Sequence, residues 1–431
     1  MTSSSSDLIE HLMTRLREVQ SNFHFQEIGD PNIPLVEVLD SMGLVELVAI
    51  MAEDFGVSPE RIDEAVGRKY GTITELARRL LAAGLSRKGQ DASYPENDSQ
   101  PSPQAGENRL PDNSNQGLGW LVATAMRLPQ AIQSASEINK SLHRPPGWLE
   151  SHAGIRQRRI WENEDPLAAG SEAACECLEQ AGLSSAEVGA LLVTSEAPPL
   201  PVGMAAAFHH RLQLGARTTA LEIGGACTGF LAAWWTAIRL LPSCSNVLIV
   251  SIESHSQHLA LGPGPAGEAA ALFGDAAAAC LISTHSIASS SQPIRAIMHQ
   301  TDGSGAGLLI VDQGKTGSYE LRMQGVALAG RAVRAMAQSV REIVERHALQ
   351  VKDLEAVVVH GGNGRLPGLV ALQLDIPAER VWSQTCITGN VGSASLPVAW
   401  VSQPEVAHGL VAWSSVGAGL TWAAALTGRP K

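Results

Sequence analysis

The segment Ile223-Gly224-Gly225-Ala226-Cys227-Thr228-Gly229-Phe230 is the stretch of this chain best suited to covalent chemistry. It reads as the end of a short strand, a turn of small residues, and the start of a long apolar helix. Small residues ahead of Cys227 permit a sharp turn and close approach of a substrate. A thiol at a helix N-terminus is expected to favour its thiolate, because the helix dipole and free N–H groups stabilise negative charge. Such a thiolate accepts an acyl group from a thioester in a nearly isoenergetic exchange. A lone cysteine is ordinarily a packing residue, whereas one in a glycine-flanked elbow is a candidate nucleophile.

Two more residues could act on a carbonyl beside it. His360 follows the apolar run 357–359 and enters Gly361-Gly362-Asn363-Gly364-Arg365. A neutral imidazole there can donate to a developing enolate or take a thiol proton. Asn390, in TGNVGSAS, can donate its amide N–H to the same oxygen without titrating. Singly, each has an ordinary explanation: a hydrogen-bonded core histidine, and a turn residue with positive φ.

An internal repeat joins them. SSAEVGALLVTSEAP (184–198) resembles QVKDLEAVVVHGGNG (350–364), ALEIGGACTGFLAAWW (220–235) resembles SQTCITGNVGSASLPVAW (383–400), and FGDAAAACLIS (273–283) resembles GAGLTWAAALT (417–427). Three matches in the same order indicate two similar halves, about 117–285 and 286–431. The corners holding Cys227 and Asn390 are then equivalent, and His360 follows a strand of the second half. Apolar runs at 190–194, 247–251, 280–283 and 357–359 read as buried strands alternating with helical stretches, which predicts an α/β domain from 117 to 431.

The 431-residue chain is too long for one ordinary core. Apolar residues make up 45% and charged residues 17%, as in a globular protein with a large interior. A net charge of -12 argues against nucleic acid as a partner. No apolar run reaches membrane-spanning length, and the N-terminus MTSSSSDLIEHLMTRL lacks an apolar signal core, so a cytoplasmic protein is expected. Six irregularly spaced cysteines argue against a disulfide framework. Cys175 and Cys177, two apart on a helical stretch, diverge and are expected to be packing residues rather than ligands of a shared metal; no metal is expected anywhere.

Residues 88–116 carry four prolines and many Ser, Asn, Asp and Gln, and read as a flexible linker. Ahead of it, 1–87 reads as all-helical, with segments over 7–20, 41–54 and 74–83 and a helix start at Ser58-Pro59. Asp40-Ser41-Met42-Gly43 opens the second of these. Residues 1–87 contain 14 acidic and 8 basic residues, a net of -6.

The helical block resembles the acyl carrier protein family, over nearly all of 7–84, through its DSMG serine and the acidic helix after it. The resemblance implies a four-helix carrier domain with 4′-phosphopantetheine esterified to Ser41 by a phosphopantetheinyl transferase. It also implies that Glu46, Glu53 and Asp54 belong to an acidic recognition helix.

The second domain resembles the ketoacyl synthase III branch of the thiolase-fold enzymes. The matching pieces are GACTGF with Cys227, LFGDAAAA (272–279), HGGNGRL with His360, GNVGSAS with Asn390, GAGLTWAAAL near the end, and WLESHAGIRQRR (148–159). The resemblance implies a duplicated, five-layered α/β/α/β/α fold and a homodimer. In it, Cys227 takes the acyl group, and His360 and Asn390 stabilise the enolate left when a malonyl thioester decarboxylates. The oxyanion donors are the backbone N–H groups of Cys227 and Ala418, and Trp148 and Arg365 serve substrate or carrier docking. Substrates would be thioesters of acyl carrier proteins, acyl-coenzyme A or malonyl-coenzyme A. The departures are Ala276 and Ala278 in place of glycines, VHGGN at His360, and His152 and Gln257 where the branch has arginines. Loss of those cations weakens phosphate binding and favours a carrier-bound donor. The expected activity is a decarboxylative Claisen condensation in a specialised polyketide or related pathway. The alternative is a non-decarboxylating acyltransferase of the same fold.

Overall fold

The computed structural model describes residues 3–22, 30–35, 39, 41–57, 59–66, 71–85, 117–200, 202–313, 319–323, 325–403, 407 and 409–429. The chain forms two compact units, Met1–Gln116 and Gly117–Lys431. The expected linker 88–116 lies outside the described residues, as do Asp40 and Ser58 and the side chains of Ser41 and Glu53.

The first unit contains the helices Ser3–Asn22, Ser41–Phe55, Pro59–Val66 and Ile73–Ala82. Leu8, Leu12, Leu16 and Val19 form the apolar stripe of the first helix and, like Leu44, Leu47, Val48 and Met51 of the second, are nearly fully buried; the two helices pack together. Thr72 caps the last helix, its hydroxyl accepting from the Glu75 N–H. The expected acidic face is corrected here. Glu46 is only 5% exposed. Asp54 is tied to Arg15, with Nε to Oδ2 at 2.8 Å, and to His11 at 2.7 Å. Both carboxylates therefore belong to the unit's internal structure rather than to a free surface.

The second unit is built on a ten-stranded mixed sheet. From edge to edge its strands are Val381–Trp382, Leu354–Val359, Leu410–Gly417, Thr421–Thr427, Gln292–Thr301, Trp120–Arg127, Asp275–Ser283, Asn246–Ser254, Ala190–Thr194 and Thr219–Ile223. The order is symmetric about a short antiparallel seam, Trp120 opposite Pro293 and Leu121 opposite Gln292. The repeat segments fall on equivalent strands on either side of it. Asn246–Ser254 and Asp275–Ser283 are buried at every position, because helices cover both faces.

Helix Pro166–Ala181 packs on the outer face of the first half, and Gly325–Glu345 on that of the second. Gly229–Leu240 and Ser395–Val401 touch strands of both halves and so lie between them. The alanines that replace glycines serve this layering. Ala276 and Ala278 pack with Val391, Ala394 and Val398, while Ala277 and Ala279 face the cluster under the outer helix. Aromatic contacts fix the central helices: Phe230 meets Trp234 at 5.6 Å, Trp234 meets Trp413 at 5.3 Å, and Trp400 meets Trp413 at 4.9 Å. The first two are edge-to-face pairs, which contribute about 1 kcal/mol each beyond their burial. Among the described residues no helix is long and apolar enough to cross a membrane.

Candidate active site

Cys227 lies in a single 3₁₀ turn, Ala226–Thr228, between the edge strand Thr219–Ile223 and helix Gly229–Leu240. The turn is tight: Gly225 has φ 125° and Ala226, a residue with a Cβ, has φ 48°. Gly229 is glycine because the corner is closely packed. A Cβ there would stand 2.0 Å from Thr194 Oγ1 and 3.3 Å from Ser393 Cβ. Gly229→Ala is therefore expected to destabilise the second unit by about 1–3 kcal/mol and to part the cysteine corner from the Asn390 loop. Thermal melting together with the rate of Cys227 modification checks this.

The loop after Gly417 closes over the same corner. A Cβ on Gly417 would lie 2.7 Å from Gly225 O and 3.1 Å from Thr228 N. The Thr228 and Thr421 hydroxyls meet at 2.9 Å, and Thr421 Oγ1 donates to Ala418 O at 3.3 Å. This holds the Ala418 turn beside Cys227.

His360 ends the strand Leu354–Val359, its N–H donating to Ser414 O at 3.0 Å. The side chain is buried, with Nδ1 3.1 Å from Ser395 Oγ. A hydroxyl proton given to Nδ1 leaves the imidazole proton on Nε2, which faces the site. Burial pulls the His360 pKa down to about 4, so the ring is neutral near pH 7. Asn390 is held by the backbone of the LFGD segment: its N–H donates to Leu272 O at 2.7 Å and its carbonyl accepts from Gly274 N at 2.9 Å. Asn390 Oδ1 accepts from Gly392 N at 2.9 Å, which fixes the amide and turns Nδ2 inward. The two donors share one space. A Cβ on Gly362 would be 3.0 Å from His360 Nε2 and 3.8 Å from Asn390 Nδ2.

The thiol itself is hydrogen-bonded to a residue that sequence reasoning missed. Cys227 Sγ lies 3.2 Å from Glu196 Oε2 and 3.5 Å from Oε1. His255 Nε2 is 3.0 Å from Glu196 Oε1, and its Nδ1 is 2.9 Å from Gly274 O. Behind them Glu253 is fully buried, accepting from Ala197 N at 2.9 Å, Glu196 N at 3.0 Å, Ser195 Oγ at 3.2 Å, Ser393 N at 2.9 Å and the Ser393 hydroxyl. Burial, followed by the Glu196 charge, pushes the Cys227 thiol well above its ordinary range. The expected resting thiolate is thereby corrected: burial, together with the Glu196 carboxylate, outweighs the turn's N–H groups. Burial opposes the Glu196 charge, but the His255 hydrogen bond and charge outweigh it, and its pKa falls below the ordinary value. Burial likewise opposes the His255 charge, yet its carboxylate partners raise it to about 9. Burial lifts Glu253 to about 7.

The remaining sequence candidates lie elsewhere. Trp148 and His152 stack with ring centroids 4.8 Å apart, and the Arg144 guanidinium sits 5.2 Å from the Trp148 ring centroid. Arg365 is 7% exposed and donates Nη1 to Ser151 O at 3.3 Å, so it braces the helix that carries Trp148. Cys177 is buried, with Sγ donating to Ala279 O at 3.2 Å, whereas Cys175 is exposed, contrary to its expected packing role. Ser41 opens the helix Ser41–Phe55 of the first unit.

Comparison with known proteins follows this geometry. The family model for 3-oxoacyl-[acyl-carrier-protein] synthase III matches residues 221–303, and the model for its C-terminal part matches 344–428. A beta-ketoacyl-[acyl-carrier-protein] synthase III from Pseudomonas aeruginosa is 31% identical, over 70% of this chain and 94% of its own length. One from Sphingopyxis alaskensis is 30% identical, over 71% and 97%. The crystal structure of the Pseudomonas aeruginosa enzyme superposes with a TM-score of 0.65 at 29% identity, covering 73% of this chain and 99% of that one. The priming beta-ketosynthase of the R1128 polyketide pathway gives 0.65 at 26%, covering 73% and 98%. The second unit thus has the thiolase-like α/β fold, and the chain is an enzyme of the acyltransferase class. It belongs to the 3-oxoacyl-[acyl-carrier-protein] synthase III family.

Proposed function

We propose that this chain is a condensing enzyme of a specialised polyketide or related pathway, acting in the cytoplasm as a homodimer. Cys227 takes an acyl group from a thioester, and a malonyl-type thioester then loses CO₂ and attacks the acyl carbonyl. The observation that carries this reading is the pair of neutral donors, His360 Nε2 and Asn390 Nδ2, aimed at one space over Gly362 in the pocket of a buried thiol. Two neutral donors stabilise an enolate oxygen without being consumed by it. The backbone N–H groups of Cys227 and Ala418 would hold the thioester oxygen during acyl transfer. The test is release of labelled CO₂ from a malonyl thioester alongside the mass of the acylated chain.

One observation favours a second reading. The Glu196 carboxylate beside Sγ would stand close to the carboxylate of a malonyl unit, and like charges in a buried site repel. A non-decarboxylating acyltransferase meets no such cost. Acylation without CO₂ release, followed by transfer to a hydroxyl, amine or second carrier, would select it.

The first unit is proposed to be the enzyme's own acyl carrier, with 4′-phosphopantetheine on Ser41. A 15-residue helix starts at Ser41, and helix N-termini favour phosphate groups. The arm would supply a mobile thiol for a thioester. Intact-mass spectrometry after treatment with a phosphopantetheinyl transferase is expected to show one added arm on the wild type and none on Ser41→Ala. The donor is proposed to be carrier-bound, because the Trp148 face is already covered by His152 and Arg144.

A further inference from the structure

Glu196 and His255 lie outside the cysteine–histidine–asparagine set, and their geometry gives them a task. Both His255 nitrogens face acceptors: Nδ1 faces the Gly274 carbonyl, and Nε2 faces a Glu196 carboxylate oxygen. A neutral ring carries one N–H and would point a lone pair at one of them. The arrangement is satisfied when His255 is an imidazolium and Glu196 a carboxylate. The other Glu196 oxygen is the acceptor for the Cys227 thiol, at 3.2 Å. Gly392 leaves room for this, since a Cβ there would lie 2.5 Å from Glu196 Oε1 and 2.8 Å from Glu253 Oε1.

We infer that Glu196 is the general base of the acylation half-reaction, taking the Cys227 proton as sulfur attacks and returning it to the departing thiol. The inference rests on Cys227 being the acyl acceptor and holds for either second step. As the Sγ–C bond forms, the thiol proton moves to Glu196 Oε2. As the tetrahedral intermediate collapses, the substrate's C–S bond breaks, and the leaving thiolate takes that proton from Glu196. One thioester becomes another, one thiol replaces another, and no oxidant or reductant enters. His255 is a positioning residue, a fixed counter-charge that keeps Glu196 ionised until the moment of attack. His360 is left free to serve the carbon–carbon bond-forming step, which needs it neutral and protonated on Nε2.

The thiol is ringed by Glu196 from the loop after Ala190–Thr194, Glu253 and His255 at the end of Asn246–Ser254, Asp275 behind His255, and His360 after Leu354–Val359. The test is the single-turnover rate at which the full chain, given a short acyl thioester, gains mass on Cys227 between pH 5.5 and 9. In the wild type the rate is expected to change little across neutral pH, because the base is already ionised. In Glu196→Gln, which keeps the shape but cannot hold the proton, it is expected to fall about a hundredfold or more at pH 7. It should then climb nearly tenfold per pH unit, as the thiol must ionise unaided. Glu196→Asp is expected to recover part of the rate and the flat profile. A Glu196→Gln rate and profile equal to wild type would overturn the inference. So would a wild-type rate that itself climbs tenfold per unit, a measurement that needs no variant to fold. The Glu196, Glu253 and His255 ligand atoms also lie within 4.8 Å of one another, so the wild type is assayed after dialysis against a chelator. Loss of acylation restored by zinc would assign the trio to a metal instead, and an unchanged rate supports the proton relay. Failure of the wild type to acylate Cys227 at all would count against the proposed function, and is distinct from each of these results.

Discussion

Replacing Cys227 with alanine is expected to abolish acyl-enzyme formation and reduce overall turnover by about 10⁴-fold or more, while the fold survives. The nucleophile is the one group for which the site has no substitute: both carboxylates are committed to hydrogen bonds, and His360 and Asn390 offer donors rather than a nucleophile. The structural cost is small because alanine removes one buried atom, which hydrogen-bonds Glu196 and Asn390, and the elbow's tight backbone already accommodates an alanine at 226. Stability should change by no more than about 1–2 kcal/mol. Peptide mapping of the acylated wild type should find the acyl group on Cys227. Cys175 is exposed and Cys244 and Cys386 are half-buried, so these three are the natural controls. An acyl group found on any of them, with Cys227 unmodified, would refute the assignment.

Cys227, His360 and Asn390 stood out in the sequence as candidates because they occupy corners where glycine has no other reason to be. Gly225 and Gly389 have positive φ, and Gly362 leaves open the space two donors share. The pairing of strands between the halves was legible from the repeat, which required the runs 190–194 and 357–359 to sit at equivalent places, and they do. Glu196 was harder to see. The repeat aligns it with Gly362, two positions after His360, so the signal was present in the loop pairing but was hidden by a Glu-for-Gly mismatch. His255 and Glu253 end an apolar strand, where a polar residue is usually a sign of returning to water. Here the chain stays buried, and only the tertiary structure shows that Gly274 and Ser393 arrive to meet them. The thiol's charge state failed for the same reason. A local rule about helix N-termini knows nothing of a carboxylate 31 residues away in sequence and 3.2 Å away in space. Glu46 and Asp54 repeat the lesson in the first unit, since helical periodicity alone does not tell an acidic face from carboxylates held by Arg15 and His11.

Asn390→Ala should separate the two halves of the reaction. Acyl transfer to Cys227 needs the nucleophile, its base and backbone donors; the Asn390 amide also hydrogen-bonds the thiol and eases its ionisation, but it takes no proton and holds no thioester oxygen in that step. Decarboxylation develops negative charge on the thioester oxygen, and that oxygen needs donors that stay neutral and fixed. Asn390 Nδ2 is fixed because Gly392 N holds the other end of the amide at 2.9 Å and the LFGD backbone holds the residue from both sides. Removing one such donor costs about 3 kcal/mol or more, a hundredfold or greater in rate. Acylation of Asn390→Ala should therefore stay within a few fold of wild type while CO₂ release from a malonyl thioester drops at least about a hundredfold. His360→Ala is expected to behave in the same way, because the Sγ proton goes to Glu196 and not to the imidazole. The pH dependence gives an independent check on the same histidine. Its pKa is held near 4 by burial, so the neutral ring persists well below pH 6, and CO₂ release should not decline until the pH approaches 4. An ordinary exposed imidazole would instead protonate near 6.5, and a decline centred there would show that His360 is not the buried donor described. Labelled CO₂ and acyl-enzyme mass, followed together in wild type and both variants, separate these outcomes. If the wild type acylates Cys227 readily, releases no CO₂ from any malonyl thioester and hands its acyl group to a nucleophile, the non-decarboxylating reading replaces the condensing one.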